Sequence, residues 1–228
     1  MRLQPLVSDR PKPMALVRGR PLLDYLLLAL KRYRVTDVVF LVGHRGEAIQ
    51  EHYAGGEAWG LRFRYSWDEE PRGTGGALRS AAELLPRDCF LVMNGDSFFD
   101  VDLEELARYH RRRRSLATLA LAEVEVPGRY GTVEIDERDR IVRFAEKAQA
   151  TASGLINGGV YVFQREVIDL IPEGRPVSLE REVFPGLIGR ALYGVRCPGY
   201  FVDIGVPEAY SALNADPSRL VAAVCPER

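Results

Sequence analysis

Cysteine is scarce in this chain of 228 residues: Cys89, Cys197 and Cys225 are far apart and odd in number. That pattern suits neither a disulfide framework nor zinc-ligand spacing, and it points to a reduced, cytoplasmic setting. No sign of charge predominates. With 31 basic and 32 acidic residues and a net charge of −1, nothing suggests a general nucleic-acid or membrane-surface binder, and any bound anion must be held locally. Long hydrophobic runs are missing too. The most apolar stretch, Leu22 to Leu30, is too short for a bilayer, carries Asp24 and follows Pro21, so it is expected to be a core helix. No signal peptide is expected at the start, and no repeat or low-complexity tract is found. His44 and His52 have no partner at metal spacing and are expected to be structural or solvent-facing. What remains is ordinary for a folded protein, 46% apolar and 28% charged, with length enough for a substantial core.

The most informative stretch runs from Cys89 to Asp102, Cys-Phe-Leu-Val-Met-Asn-Gly-Asp-Ser-Phe-Phe-Asp-Val-Asp. Its apolar opening is expected to be a strand buried on both faces of a parallel sheet, closed by Asn94-Gly95. Asp96 then lies just past the carboxyl end of that strand, where open α/β sheets bind ligands and where a cation could be held. The simpler reading is that Asn-Gly-Asp-Ser only turns the chain. A second apolar run ends in a carboxylate at Asp203, followed by Ile-Gly-Val-Pro and a helix expected to begin near Pro207.

Elsewhere, Arg10-Pro-Lys-Pro-Met14 is expected to be an extended loop holding Lys12, its two prolines forbidding helix. Asp37 to Val42 is expected to be a buried strand and Glu47 to Tyr53 a helix, with Leu61 to Tyr65 a strand polar on one face. Glu70-Pro-Arg-Gly73-Thr-Gly-Gly76 reads as a loop entering a helix from about Ala77 to Leu85. Its glycines would let backbone amides meet an anion or a flat base. Strand and helix alternate up to Asp96, which indicates a doubly wound parallel arrangement. Beyond a helix from Leu103 to Arg112 the chain becomes strand-rich. Glu146-Lys147 ends one of those strands and Asn157-Gly-Gly159 interrupts another. After Leu213 a short tail is expected, without room for a further domain.

Two carboxylates at strand ends, two isolated lysines and a glycine segment suit phosphate chemistry with Mg²⁺, which takes one or two carboxylates and fills its other positions with water and phosphate oxygens. The sequence resembles the sugar-phosphate nucleotidylyltransferases. Arg2-Leu3 with Arg10-Pro-Lys-Pro-Met14, Glu70-Pro-Arg-Gly-Thr-Gly-Gly-Ala77, Asn94-Gly-Asp96, Glu146-Lys147 and Tyr200-Phe-Val-Asp-Ile-Gly-Val-Pro207 are similar to that family's motifs. Among subfamilies, Arg129-Tyr-Gly-Thr-Val133 and Gly154 to Tyr161 are similar to the D-glycero-α-D-manno-heptose 1-phosphate guanylyltransferases.

The resemblance implies an α/β fold with a single Rossmann-like doubly wound mixed sheet, that of the nucleotide-diphospho-sugar transferases. One domain would span 1–228, its 1–115 half binding nucleotide and its 116–228 half binding sugar phosphate. It also implies a cytoplasmic enzyme joining a sugar 1-phosphate to a nucleoside triphosphate, with GTP and the heptose 1-phosphate expected first and mannose 1-phosphate the nearest rival. Neither nucleic acid nor membrane is an implied partner. Arg2 and Lys12 would steady the triphosphate, and Asp96 and Asp203 would hold Mg²⁺. Glu70, Gly73, Thr74, Gly75, Asn94 and Gly95 would face the nucleotide. Gly131, Glu146, Lys147, Asn157 and Gly158 would take the sugar phosphate.

The family places a buried strand and a glycine loop ahead of the arginine, whereas this chain starts at Met1-Arg2, so its sheet is expected to lack the first strand. Two explanations compete: a clipped amino terminus, favoured by the retained Lys12, Asp96, Lys147 and Asp203, or a chain that has lost activity. A non-catalytic nucleotide-sugar sensor is the second function class. A sugar transferase using the triplet Asp100-Val-Asp102 is a third, against which Asp102 reads as a helix cap.

Overall fold

The computed structural model describes residues 10–125, 130, 132–145, 153–205 and 207–225. In chain order the first elements are β1 (Leu16–Val17), β2 (Arg20–Pro21), α1 (Leu22–Arg32), β3 (Asp37–Val42), α2 (Glu47–Tyr53), β4 (Arg62–Trp67), α3 (Gly73–Ser80), β5 (Cys89–Met93), β6 (Ser97–Phe99) and α4 (Leu103–Arg113). They are followed by β7 (Ala117–Val124), β8 (Thr132–Ile135), β9 (Ile141–Ala145), β10 (Gly154–Gln164), α5 (Glu166–Asp169), α6 (Phe184–Leu187), β11 (Leu192–Arg196), β12 (Phe201–Asp203), α7 (Pro207–Ala215) and α8 (Ser218–Val224). The described residues fall into two compact units, one drawn from 10–71, 94–100 and 200–225, the other from 72–93 and 101–199.

In the first unit α1 forms as its leucine spacing predicts, with Leu22, Leu23, Leu26, Leu27 and Leu30 buried along one stripe. Strands β3 and β4 pair in parallel, Phe40 opposite Tyr65. Phe40 and Val42 share the covered face of β3, where Phe40 packs on Tyr53 and Phe63, while Leu41 on the other face is 38% exposed. The expected fully buried strand is therefore half-buried. The expected carboxyl-terminal tail is also corrected. α7 runs to Ala215 and α8 follows, burying Leu220, Ala223 and Val224, and the Arg32 guanidinium donates to the Ala223 carbonyl. A helix of two turns carries too few apolar positions to announce itself.

The second unit is built on a four-stranded mixed sheet, ordered β11-β7-β10-β5. Strand β10 runs antiparallel to both β7 and β5, and β11 runs parallel to β7. The Cys89 strand is thus in an antiparallel pairing, and of its five residues Phe90 alone is buried, not the two-faced burial expected. The core gathers on Tyr161, Phe163 and Phe184, all at 0% exposure, with ring centroids 5.1–5.9 Å apart. Each such pair adds about 0.5–1.5 kcal/mol beyond the area it buries. The Asp102 carboxylate accepts from the Glu105 amide at 2.9 Å, capping α4 as the sequence predicts.

Sequence reasoning passed over His110, buried on α4 with Nδ1 3.0 Å from Thr118 Oγ1 and Nε2 3.2 Å from Gln164 Oε1. Burial pushes its pKa below the usual 6.5, although the Gln164 bond works the other way. As pH falls through the unfolded value of about 6.5 the unfolded chain takes up the proton first. The neutral side chain therefore contributes fully above that value, and the contribution drains away as pH drops toward the depressed folded pKa. Thermal melts between pH 7 and pH 5 are expected to fall more steeply for the wild type than for His110→Gln. Parallel slopes would contradict this role.

Candidate active site

The segment around Lys12 is not the extended loop expected from its prolines. Pro11 keeps an extended conformation (φ −65°, ψ 148°) and Lys12–Met14 forms one 3₁₀ turn. Pro13 falls within that turn, where a missing amide hydrogen costs nothing. Met14 is buried and anchors the turn. Lys12 is held as expected, but by a partner 84 residues away: Nζ donates to Asp96 Oδ2 at 3.2 Å.

Asp96 directly precedes β6, whose three residues are all buried and pair antiparallel with β12. Ser97 lies opposite Asp203, the Ile204 amide donates to the Asp96 carbonyl at 3.2 Å, and the Asp100 amide donates to the Tyr200 carbonyl at 2.9 Å. Asp96 and Asp203 thus occupy neighbouring rungs of one ladder, with Cα atoms about 6 Å apart by sheet geometry. The Gly205 amide donates to Asp203 Oδ1 at 2.7 Å and orients that carboxylate. Asn94 and Gly95 form the half-buried turn into β6, and Gly95 sits so close to Pro13 that a Cβ there would lie 3.0 Å from Pro13 Cγ.

The Lys12 and Asp96 side chains are 42% and 37% exposed, and a pair that open to water is worth about 0–1 kcal/mol to folding. Carboxylate oxygens such as those of Asp96 and Asp203 are hard donors, the kind Mg²⁺ accepts while filling its other positions with water and phosphate. Among the described residues no group of three or more His, Cys, Asp or Glu is placed to hold a metal.

The glycine motif lies partly in each unit. Glu70 is exposed in the first, while Gly73, Thr74 and Gly75 belong to the second. There the helix starts four residues earlier than expected, at Gly73, and ends at Ser80. The Gly75 and Gly76 amides both donate to the Val177 carbonyl, at 2.9 and 3.2 Å, and the Val177 amide donates to the Arg72 carbonyl at 2.8 Å. Those two amides are therefore engaged by the protein's own backbone rather than open to an anion. Thr74 Oγ1 accepts from the Leu179 amide and donates to Glu180 Oε2, both at 2.8 Å.

Asn157 begins a bulge in β10, where the register with β7 shifts before Tyr161 and Gly159 takes φ +76°. Its Oδ1 accepts from the Gly159 amide and its Nδ2 donates to the Tyr161 hydroxyl, both at 2.9 Å, leaving Gly158 buried at the bulge. Arg2, Gly131, Glu146 and Lys147 lie outside the described residues. The sequence reading also missed Ser97, buried opposite Asp203, and Val177, which accepts the glycine amides. Ser178 was a usable signal for the latter segment: its hydroxyl accepts from the Arg181 amide at 3.2 Å and opens a single π turn, Leu179–Val183. Burial, with a smaller contribution from Asp102, pushes the Cys197 thiol up to about 11, which makes it a poor nucleophile at neutral pH.

Residues 1–218 match the family described as Nucleotidyl transferase. The chain belongs to the nucleotidyl transferase family. It is 39% identical over 224 residues to the mannose-1-phosphate guanylyltransferase of Mycobacterium tuberculosis, covering 97% of this chain but 62% of that relative. It is 35% identical over 212 residues to the D-glycero-alpha-D-manno-heptose 1-phosphate guanylyltransferase of Campylobacter jejuni, covering 92% and 91% of the two chains. Among solved structures, HddC from Yersinia pseudotuberculosis aligns with a TM-score of 0.85 at 26% identity, covering 96% of this chain and 95% of that one. The same protein complexed with GMP-PN aligns with a TM-score of 0.83 at 26% identity, covering 92% and 91%. The mixed α/β fold is that of the nucleotide-diphospho-sugar transferases, as the sequence indicated.

Proposed function

We propose that the protein is a sugar-1-phosphate guanylyltransferase that joins a sugar 1-phosphate to GTP and releases pyrophosphate. The observation that carries this reading is the Lys12–Asp96 contact of 3.2 Å with Asp203 on the next rung of the β6–β12 ladder. In the reaction a phosphate oxygen of the sugar 1-phosphate bonds to the α-phosphorus as the bond to the bridging oxygen breaks, and pyrophosphate leaves with that electron pair. Both reactants are anions. At about 4 Å each unit-charge pair repels by about 4 kcal/mol near a protein surface, so charge neutralisation and alignment dominate catalysis.

Asp96 and Asp203 would hold Mg²⁺, which when bound neutralises phosphate charge at the reacting centre. Lys12 and Arg2 would steady the triphosphate and then the pyrophosphate. Glu70, Gly73, Asn94 and Gly95 would face the nucleotide, with Thr74 and Gly75 holding the 177–180 segment behind them, and Gly131, Glu146, Lys147, Asn157 and Gly158 would take the sugar phosphate. Residues 1–115 would then serve the nucleotide and 116–228 the sugar phosphate, within one domain. Three free cysteines suit the cytoplasm. No helix among the described residues is long and apolar enough to cross a membrane.

The heptose 1-phosphate is the first choice of sugar, on the motifs at 129–133 and 154–161 and the Campylobacter relative. Mannose 1-phosphate is the second, favoured by the 39% identity to the mycobacterial relative. Pyrophosphate release across four nucleoside triphosphates and both sugar phosphates tests the proposal. GTP with one of these sugars is expected to exceed all other combinations. Tight GTP binding with no pyrophosphate release from any pair would favour a nucleotide sensor.

A further inference from the structure

Lys12 is presented by the segment that continues into β1, and consecutive carbonyls of β1 are each taken by a tyrosine. Tyr25 on α1 donates to the Val17 carbonyl at 3.1 Å, and Tyr210 on α7 donates to the Leu16 carbonyl at 2.7 Å. The first tie is local, from a helix that follows directly. The second spans 194 residues, from the helix that opens just after Asp203. A further bond reinforces it: Asn214 Nδ2 donates to the Tyr210 carbonyl at 3.2 Å while its Oδ1 accepts from the Arg18 amide at 3.4 Å. These contacts close a ring. Lys12 bonds Asp96, the Asp96 carbonyl bonds the Ile204 amide beside Asp203, the chain enters α7, and Tyr210 returns to Leu16 behind Lys12.

On the reading of the site given above, we infer that Tyr210 is a positioning residue that fixes the Lys12 ammonium against the phosphates by holding the Leu16 carbonyl to α7. A hydroxyl that merely satisfied a carbonyl would contribute to folding alone. Stability cannot separate the two roles, because the bond is lost from the fold in either case. Placement can, since an error of about 1 Å in a positioned group costs up to ~10²-fold.

The test is a double-mutant cycle in GTP affinity with Mg²⁺ present, measured by calorimetry on the whole protein, pairing Tyr210→Phe with Lys12→Ala. Phe keeps the ring and its packing, and a thermal melt of each variant checks folding. Tyr210→Phe is expected to weaken GTP about tenfold in the wild type and less than twofold once Lys12 is Ala. Asn214→Ala is expected to follow the same pattern with a smaller first step. Equal weakening in both backgrounds, or none in either, would overturn the inference while leaving guanylyl transfer intact. A wild type that binds no GTP would instead overturn the proposed function, and the inference with it.

Discussion

Asp96→Asn is expected to lower the rate of pyrophosphate release by about 10²-fold or more, because one preorganised charge is removed where phosphate charge must be neutralised. Asn is nearly isosteric, so the β6–β12 ladder, held by backbone bonds between Ile204 and Asp96 and between Asp100 and Tyr200, should survive. The substitution also deprives Lys12 of its carboxylate at 3.2 Å. With both side chains more than a third exposed, unfolding free energy is expected to change by less than about 1 kcal/mol. The diagnostic result is a large loss of rate with an unchanged melt. An unchanged rate, or a rate that falls only in step with stability, would remove Asp96 from the chemistry.

The second large effect concerns stability. Gly73 has φ +69°, and a Cβ placed on it would lie 2.5 Å from the Val177 carbonyl oxygen, a backbone atom that cannot swing away. Gly73→Ala therefore combines left-handed backbone strain, about 1–2 kcal/mol, with a clash that breaks the approach of the 177 segment, for an expected loss of about 2–4 kcal/mol. Gly174 supplies the control. It has φ +75° with nothing within 4 Å of the added atom, so Gly174→Ala should lose only the backbone component, about 1–2 kcal/mol. Urea unfolding of both variants measures the difference. Equal losses would mean that the Val177 contact does not hold α3 in place.

The glycine motif also shows what a sequence can and cannot disclose. Glycines at 73, 75 and 76 were legible as a place of close approach, but what approaches Gly75 and Gly76 is Val177, about a hundred residues further along the chain. Periodicity reports which face of an element is apolar and not which partner covers it. For this reason α1 and the Asp102 cap, set by local chemistry, matched expectation, while the antiparallel pairing of β5 with β10 did not. Pro11 and Pro13 misled for a local reason, since proline excludes helix interiors and not the first turn. Lys12, Asp96 and Asp203 stood out because each is an isolated charge at the end of an extended or constrained run. Tyr210 had no such mark: one tyrosine in a helix shows nothing of a carbonyl 194 residues away.

Whether Asp96 and Asp203 act together on one centre is read from a double-mutant cycle on kcat for pyrophosphate release. If both carboxylates hold the same ion, Asp96→Asn, Asp203→Asn and the double variant should all lose about the same factor, at least ~10²-fold, because removing one ligand already forfeits the function of the pair. Losses that multiply in the double variant would show two independent contributions and contradict the account.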